Sequence, residues 1–342
     1  MATGGTASGR ARLVDVAQRA GVSTATVSLV LRGRPGPSEA TANAVRAAAT
    51  GLGYRPDRTA SLLARHRSHL LGVLLDVSSP FHAELVRALD SASADRGLDL
   101  VLGTTTPRTD EHRAAETLLD FRCEAMVLLG PQLSDADLTA LGALCPTVAV
   151  GRAGVPGVTG VLAADDRGLE AAVDHVASLG HRRIAFVDGP RGSIARARRQ
   201  GYREAMARHG LGSGDDVVRG GADEADGAAA AARLLSRPVD DRPTGVIAFN
   251  DRVAIGLRDT LLRSGVGVPE EISVVGYDDS PMARLGTIDL TSVSQEPEAL
   301  ADATVAVVVG LLDGGIPPPT TDVVIPPRLV VRSSSAPPPG RG

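Results

Sequence analysis

Residues 12–31 read RLVDVAQRAGVSTATVSLVL, a pattern typical of two short helices joined by a tight turn. Four apolar residues recur at helical spacing and predict the buried face of the first helix: Leu13, Val14, Ala17 and Ala20. Gly21 supplies a turn position that tolerates positive φ, and Ser23 can cap the second helix. The second helix is expected to turn three residues inward: Val27, Val30 and Leu31.

The outer positions of the second helix are small, polar or aliphatic: Thr24, Ala25, Thr26, Ser28 and Leu29. A helix-turn-helix has this pattern, and it aims the start of its second helix at base edges in the major groove. The alternative is an ordinary helical hairpin in a small helical domain, without a role in DNA recognition.

Charge is distributed unevenly along the chain. The formal net charge is −4, yet residues 10–67 contain ten arginines against three carboxylates, Asp15, Glu39 and Asp57. A basic end on an acidic body is typical of a nucleic-acid-binding segment, because this stretch can neutralise several phosphates.

The helical segment extends beyond the first two helices. After the loop at residues 33–37, Ser38 can open a third helix that ends near residues 51–53, and Val45 and Leu52 are expected to close a three-helix core. Residues 1–10 lack periodicity and are expected to be disordered. Pro56 begins a short helical stretch, either an ordinary linker or a segment that folds only when paired with a copy of itself on DNA.

From Leu70 the pattern changes to buried strands alternating with helices, which predicts parallel βαβ units. The alternation begins again at GVLAADD, residues 160–166, and predicts a second sheet, hence two lobes with a cleft between them. Ligands in such lobes bind beyond the carboxyl ends of the strands, where Asp76, Asp251 and Asp278 lie. The tail SSSAPPPGRG, residues 333–342, is not expected to pack.

Several classes of protein receive no support. Cys123 and Cys145 lack metal-ligand spacing and are expected to be reduced core thiols. The N-terminus lacks the apolar core of a signal peptide and no apolar run approaches membrane-spanning length, so a cytoplasmic protein without a membrane role is expected. Neither a metal nor a cofactor is predicted.

Six motifs, in order, resemble the LacI/GalR-type bacterial transcriptional regulators over nearly the whole chain: DVAQRAGVSTATVSLVL, GLGYRPDRTASLLA, SPFHAELV, GHRRIAFVDGP, FNDRVAIG and VPEEISVVGYDDSPMA. The resemblance implies an all-α helix-turn-helix head and an α/β body like a periplasmic binding protein, with two doubly wound parallel-sheet lobes. It also implies a homodimer on a pseudopalindromic operator in double-stranded DNA, responding to a small-molecule effector.

The resemblance also implies domain boundaries. The head occupies residues 11–55 and a hinge helix with its linker 56–68. The first lobe takes 69–162 and 293–326, and the second takes 163–292 and 327–337. A disordered tail, 338–342, follows. The chain is expected to cross between lobes near Ala163, Val293 and Pro326.

Site residues follow from the resemblance by position. Base contacts are implied for Thr24, Ala25, Ser28 and Leu29, and phosphate contacts for Ser23, Thr26, Ser38, Tyr54 and Arg58. In the hinge, Ala60 is placed at the DNA and Leu63 matches a leucine inserted into the minor groove. Leu29 departs from the family, which usually carries an arginine there that reads a guanine; Arg32, one turn later, can supply that charge.

For the cleft, the resemblance implies ligand contacts by Asp76, Phe81, His82, Arg198, Asn250, Asp278 and Gln295. Arg198 and Asp278 are expected to form a charged pair that holds hydroxyls or a carboxylate. Gly151 stands where sugar-responsive members often carry an acidic residue, and aromatic residues make up only 2% of the chain. The effector class therefore stays open between a sugar, a nucleoside and a related polar metabolite.

The predicted function is a ligand-responsive, sequence-specific DNA-binding regulator, a repressor, whose operator affinity changes through the hinge helices. A solute-binding receptor shares the two-lobed body but calls for a signal peptide instead of residues 12–63. An enzyme is disfavoured because the sequence contains no nucleophile elbow, P-loop, dinucleotide fingerprint or metal-ligand spacing. His181 precedes a strand and is expected to be structural.

Overall fold

The computed structural model describes residues 11–31, 33–54, 67–212, 216–314 and 322–340. The chain divides into two compact units, residues 1–68 and residues 69–342. We call them the head and the body. Several predicted sites lie outside the described residues: Arg32, Arg58, Ala60, Leu63, and with them most of the predicted hinge.

The head contains three helices in its described part: α1 (Leu13–Ala20), α2 (Thr24–Leu31) and α3 (Glu39–Gly51). Gly21 adopts a φ of 67° at the turn between α1 and α2, as its lack of a Cβ allows. The Ser23 hydroxyl accepts a hydrogen bond from the Thr26 amide at 3.1 Å, and the Ser38 hydroxyl accepts one from the Thr41 amide at 3.3 Å. Both predicted caps are therefore present.

The head core contains Val16, Val27 and Val45, each fully buried. The prediction of Val14 as a core residue is wrong, since its side chain is 54% exposed. The inward stripe of α1 follows positions 13, 16, 17 and 20, and Val14 lies about 100° around the helix from Leu13. Val16, which the sequence reading passed over, takes its place.

The first lobe of the body is built on a fully parallel six-stranded sheet. Its elements are β1 (Leu70–Asp76), α4 (Pro80–Ala94), β2 (Asp99–Thr105), α5 (Glu111–Asp120), β3 (Ala125–Leu129), α6 (Asp135–Leu144), β4 (Thr147–Val150), β5 (Thr159–Ala163), α11 (Pro297–Leu312) and β11 (Val323–Ile325). The strand order is β11-β5-β4-β3-β1-β2, with one apolar cluster on each face of the sheet.

The second lobe repeats this plan with one antiparallel strand at the edge of its sheet. Its elements are α7 (Asp165–Ser178), β6 (Ile184–Val187), α8 (Ser193–Arg208), β7 (Val217–Val218), α9 (Glu224–Leu235), β8 (Gly245–Ala248), α10 (Asp251–Arg263), β9 (Ser273–Asp278), β10 (Thr291–Ser294) and β12 (Arg328–Val330). The strand order is β12-β10-β9-β8-β6-β7. The predicted pair of doubly wound α/β lobes is confirmed.

The chain passes between the two sheets after β5, after β10 and between β11 and β12. The prediction that GVLAADD opens the second sheet is wrong for its first four residues, because residues 160–163 belong to β5 and pair with β4 and β11 in the first sheet. The predicted crossing near Val293 falls two residues early, because Val293 and Ser294 pair with β9 and β12 of the second lobe.

The expectation that the tail from residue 333 does not pack is wrong for residues 333–336. Ser334 is buried, and its hydroxyl donates to the Val274 carbonyl at 2.6 Å. The Ala336 amide donates to the Ser273 hydroxyl, and His181 contacts the Ala336 carbonyl at 2.9 Å. These polar bonds hold the segment against the second lobe, and they give His181 the structural role predicted for it.

Helices α9 and α10 approach so closely that glycines are required at their contact. A Cβ on Gly256 would lie 1.9 Å from the Glu224 carbonyl oxygen. We expect Gly256→Ala to destabilise the body by about 3 kcal/mol, because backbone must move to admit the methyl. Thermal unfolding should show a melting temperature lower by about 6–12 °C. Gly286→Ala is the matched control, since its Cβ would meet nothing within 4 Å; equal melting temperatures for the two variants would contradict the prediction.

Candidate functional site

The outer face of α2 carries the residues predicted to meet bases. Thr24, Ala25 and Leu29 are exposed, and Leu29 is 41% exposed despite its apolar side chain. Thr26 and Ser28 are half-buried, and the hydroxyls of Thr26 and Ser23 lie 2.9 Å apart. The start of α2 thus presents a small, uncharged surface.

Two further predicted phosphate contacts lie elsewhere in the head. Ser38 is exposed at the start of α3, where its hydroxyl caps the helix. The first amides of a helix attract anions, so this end suits a phosphate. Tyr54 is half-buried against the head core.

A cavity of about 180 Å³ lies between the two lobes of the body. All seven residues predicted to contact ligand line it: Asp76, Phe81, His82, Arg198, Asn250, Asp278 and Gln295. Parallel strands of both lobes end here, which is where α/β proteins place their ligands. The structure therefore brings together residues that lie more than 200 positions apart in the sequence.

On the first-lobe side, His82 is held in one tautomer. Its Nδ1 accepts a hydrogen bond from the Asp76 amide at 3.1 Å, so the neutral ring carries its proton on Nε2. Burial lowers the pKa of His82 to about 4, and the nearby Asp76 carboxylate only partly opposes this. At neutral pH His82 is thus an uncharged hydrogen-bond donor. Asp76 itself accepts hydrogen bonds from the Ser78 amide and hydroxyl.

Arg198, only 3% exposed, is the most constrained side chain on the second-lobe side. Its Nε donates to Asp165 at 2.8 Å and its Nη1 to the Phe249 carbonyl at 2.6 Å. The guanidinium lies 3.6 Å from the centroid of the Tyr277 ring, a cation–π contact. The predicted pairing with Asp278 is looser, at 3.9 Å. The closest carboxylate partner is therefore Asp165, which the sequence reading missed.

Asp278 ends β9 and receives a hydrogen bond from Gln295 Nε2 at 2.6 Å. Burial raises the pKa of Asp278 to about 8, although the Arg198 charge acts in the opposite direction. Arg198 lies 3.9 Å from Asp278 and pairs more closely with Asp165, so its charge does not offset the effect of burial. At neutral pH the Asp278 carboxyl is therefore mostly protonated, and it can donate a hydrogen bond to a ligand hydroxyl as well as accept one from it.

Asn250 and Asp251 form hydrogen bonds within the protein, and the sequence alone does not distinguish this role from contact with a ligand. Asn250 lines the cavity, but it is the cap of α10: its Oδ1 accepts from the Val253 amide and its Nδ2 donates to the Ala222 carbonyl. Asp251 is 1% exposed, and its carboxylate accepts from the Ser280 amide and the Ser292 hydroxyl, both at 2.6 Å. Asp251 therefore joins the loop after β9 to β10 within the second lobe, and it does not line the cavity.

Two arginines of the second lobe reach across to the first, and neither was predicted. Arg252 binds Glu224 through two hydrogen bonds and donates to the Ser78 carbonyl at 3.2 Å. Arg284 donates to Glu84 at 3.1 Å. Arg252 directly follows Asn250 and Asp251 at a strand end, and this position is the sequence feature that could have indicated a place near the cleft. These bonds hold the lobes together at the rim of the cleft.

Charge in the cleft is nearly balanced by pairs within the protein. Among the described residues that line it, the two arginines are already paired, Arg198 with Asp165 and Arg252 with Glu224. His82 is neutral, and Asp76 and Asp278 are the remaining ionisable groups. The cleft thus offers acceptors and two uncharged donors, His82 and the protonated Asp278, but it offers an anion no cation that is free of a carboxylate partner.

No helix in the described residues is long and apolar enough to cross a membrane. The same residues contain no cluster of three or more potential metal ligands.

Comparison with known proteins gives consistent results for both units. Residues 12–57 match the bacterial regulatory proteins of the lacI family, and residues 173–335 match the periplasmic binding protein-like domain. The ribose operon repressor of Escherichia coli is 35% identical over 308 residues, which is 87% of this chain and 92% of that protein.

Solved structures extend the match. A LacI transcriptional regulator from a Rhodococcus species is 42% identical, with a TM-score of 0.75, over 78% of this chain and 98% of that one. The lac repressor dimer bound to operator and the anti-inducer ONPF is 27% identical, with a TM-score of 0.80, over 96% and 100% of the two chains.

A helix-turn-helix head joined to a two-lobed body with an interlobe cleft defines a ligand-responsive transcriptional regulator. The chain belongs to the LacI family of bacterial transcriptional regulators. Its relatives are regulators of transcription and not enzymes.

Proposed function

We propose that this chain is a cytoplasmic repressor that acts as a homodimer on operator DNA and changes its operator affinity when a neutral, hydroxylated small molecule enters the cleft. The observation that carries the proposal is the cleft itself, which both lobes line and where both lobes contribute hydrogen-bonding groups. The repressor assignment rests on the likeness to the ribose operon repressor.

The coupling follows from the geometry of the cleft. A ligand that bonds to Asp76 and His82 of the first lobe and to Asp278 of the second favours whichever lobe angle brings these groups to bonding distance. It shifts the population towards that state only to the extent that it binds the two states differently. The difference in ligand-binding free energy between the two states sets how far the ligand can strengthen or weaken operator binding.

The ligand class follows from the charges. A carboxylate or phosphate would enter without an unpaired cation to meet it and would face the Asp76 carboxylate, which costs binding free energy. A neutral polyol or saccharide can donate a hydroxyl to the Asp76 carboxylate, exchange hydrogen bonds with the Asp278 carboxyl, and accept from His82 Nε2. The CelR structure in complex with cellobiose, 31% identical over 95% of this chain, agrees with a saccharide.

On the DNA side, we propose base contacts for Thr24, Ala25, Ser28 and Leu29. Phosphate contacts are proposed for Ser23, Thr26, Ser38 and Tyr54. The predictions for Arg32, Arg58, Ala60 and Leu63 stand on the sequence alone. The likeness to an operator-bound lac repressor dimer supports this arrangement.

The test is selection of binding sites from a random duplex library by the full-length protein, followed by titration of the selected site. We expect one pseudopalindromic site, with affinity that falls steeply as salt rises. Neutral saccharides should change the affinity of the wild type, and the saccharide should be recovered unchanged, as expected of a binder without enzymatic turnover.

Asp278→Asn is the informative variant, since it keeps the shape of the side chain and replaces a carboxyl that can donate or accept at either oxygen with an amide whose donor and acceptor are fixed. We expect operator binding to persist while the response to saccharide falls by about tenfold or more. Asp313→Asn, outside the cleft at the end of α11, is the control. Enrichment of no sequence would contradict the regulator, and a stronger response to sugar acids than to neutral sugars would contradict the ligand class.

A further inference from the structure

One part of the cleft lining consists only of aliphatic side chains and glycines. It consists of Leu129 and Val150, at the ends of β3 and β4, the two glycines that follow them, Gly130 and Gly151, and Ile194 near the start of α8. Ile194 belongs to the second lobe and the other four residues to the first. We call this set the apolar wall.

The two glycines and Ile194 fit one another closely. Gly130 and Gly151 have φ angles of +58° and +83°, a region that L side chains rarely adopt. A Cβ on Gly151 would lie 3.1 Å from Ile194 Cδ1, and one on Gly130 would lie 4.0 Å from it. The isoleucine therefore occupies the space in which a side chain at position 151 would stand, whereas a Cβ at position 130 would lie nearest to His82 Nε2, at 3.6 Å.

Backbone groups at the wall are already bonded within the protein. The Gly130 amide donates to the Val150 carbonyl and the Gly151 amide to the Val161 carbonyl, each at 2.9 Å. Gln132 Nε2 donates to the Gly130 carbonyl at 3.0 Å. Among the three atoms nearest each glycine's Cβ position, only His82 Nε2 is polar. A ligand hydroxyl pressed against this wall would lose its bonds to water and find few partners.

We infer that the ligand is a deoxygenated saccharide, which presents a methyl-sized apolar group to the apolar wall and its hydroxyls to Asp76, His82 and Asp278. This rests on the proposed function, because it assumes that the cleft binds a neutral hydroxylated molecule. The polar half of the cleft satisfies the hydroxyls, while Ile194 and its neighbours bury the methyl and exclude the hydroxyl of the parent sugar.

The experiment compares matched pairs that differ in one hydroxyl, using calorimetric titration of the full-length protein. The probes are L-rhamnose with L-mannose, L-fucose with L-galactose, D-fucose with D-galactose, and 6-deoxy-D-glucose with D-glucose. In at least one pair we expect the deoxy sugar to bind about tenfold more tightly or better, the discrimination typical of a pocket that leaves a hydroxyl unpaired.

Ile194→Asn tests the assignment to the wall, because it places a hydrogen-bonding group where the methyl is expected. In this variant the preference for the deoxy sugar should shrink to within about threefold or reverse. Leu262→Asn, on a partly exposed position of α10 outside the cleft, should keep the wild-type preference. An unchanged preference in Ile194→Asn would overturn the role of the wall.

The outcomes also separate this inference from the proposed function. Parent sugars that bind as tightly as their deoxy partners, or more tightly, overturn the inference and leave a saccharide-responsive regulator in place. Absence of binding by all eight sugars, while the protein still selects a DNA site, overturns the saccharide class and the inference with it.

Discussion

Arg198→Met should lower the stability of the body by about 3–5 kcal/mol, the largest single-residue effect that we expect in the cleft. The substitution removes the charge that neutralises Asp165, whose side chain is only 13% exposed, and it leaves the Phe249 carbonyl without its donor. The stacking of the guanidinium on the Tyr277 ring is lost as well. In thermal unfolding, the melting temperature of the body should fall by about 6–20 °C.

Two further variants test whether the loss of the buried charge pair causes the lower stability of Arg198→Met. Arg263→Met removes an ion pair of similar length, 2.9 Å to Asp259, but both side chains are largely exposed. It should leave the melting temperature nearly unchanged, because solvent screens such pairs. Asp165→Asn combined with Arg198→Met should recover a large part of the lost stability, since the amide removes the uncompensated charge. Equal effects of Arg198→Met and Arg263→Met would show that the buried network has no special role.

The prediction for Arg198 depends on a contact that the sequence could not supply. The sequence predicts that Arg198 lies in the cleft, because the resemblance to a known family assigns a ligand contact to its position. It named Asp278 as the partner, because both residues are implied at one site. The nearer partner, Asp165, is 33 residues away and belongs to the first turn of α7, where an acidic residue is unremarkable as a partner of the helix dipole.

Local features were predictable because their causes are local. Gly21 and Ser23 define the turn of the head through backbone conformation and one hydrogen bond. The continuous apolar strands define parallel sheets, since both faces of such strands must be covered. The rule that ligands bind beyond strand ends then placed Asp76 and Asp278 at the cleft correctly.

Interactions across long stretches of chain were not predictable. Arg284 and Glu84 are 200 residues apart, and the bond between them depends on how the lobes close. The packing of residues 333–336 was missed for a related reason. A run of serine, alanine and proline resembles a loop, but here its hydroxyl and backbone groups bond to the start of β9, which is distant in the sequence.

Leu29→Arg should change the operator sequence that the protein selects, and this is the second large effect that we expect. Leu29 is exposed on α2, and an apolar side chain there can contact a thymine methyl but cannot hydrogen-bond a base. Arginine can form two hydrogen bonds with guanine, a contact with discrimination of about 1–3 kcal/mol, or about 5- to 150-fold. Selection with the variant should therefore enrich guanine at one symmetric position in each half-site.

Val14→Arg is the matched control, because it adds the same charge at an exposed apolar position of the head that is not on α2. The added charge should strengthen binding to all sequences alike and steepen the dependence on salt, since it can meet only phosphates. The two variants thus separate reading of bases from attraction to the backbone. If Leu29→Arg shifted affinity without changing the selected sequence, as Val14→Arg should, Leu29 would not face the bases, and specificity would have to come from other residues of the head or from the hinge.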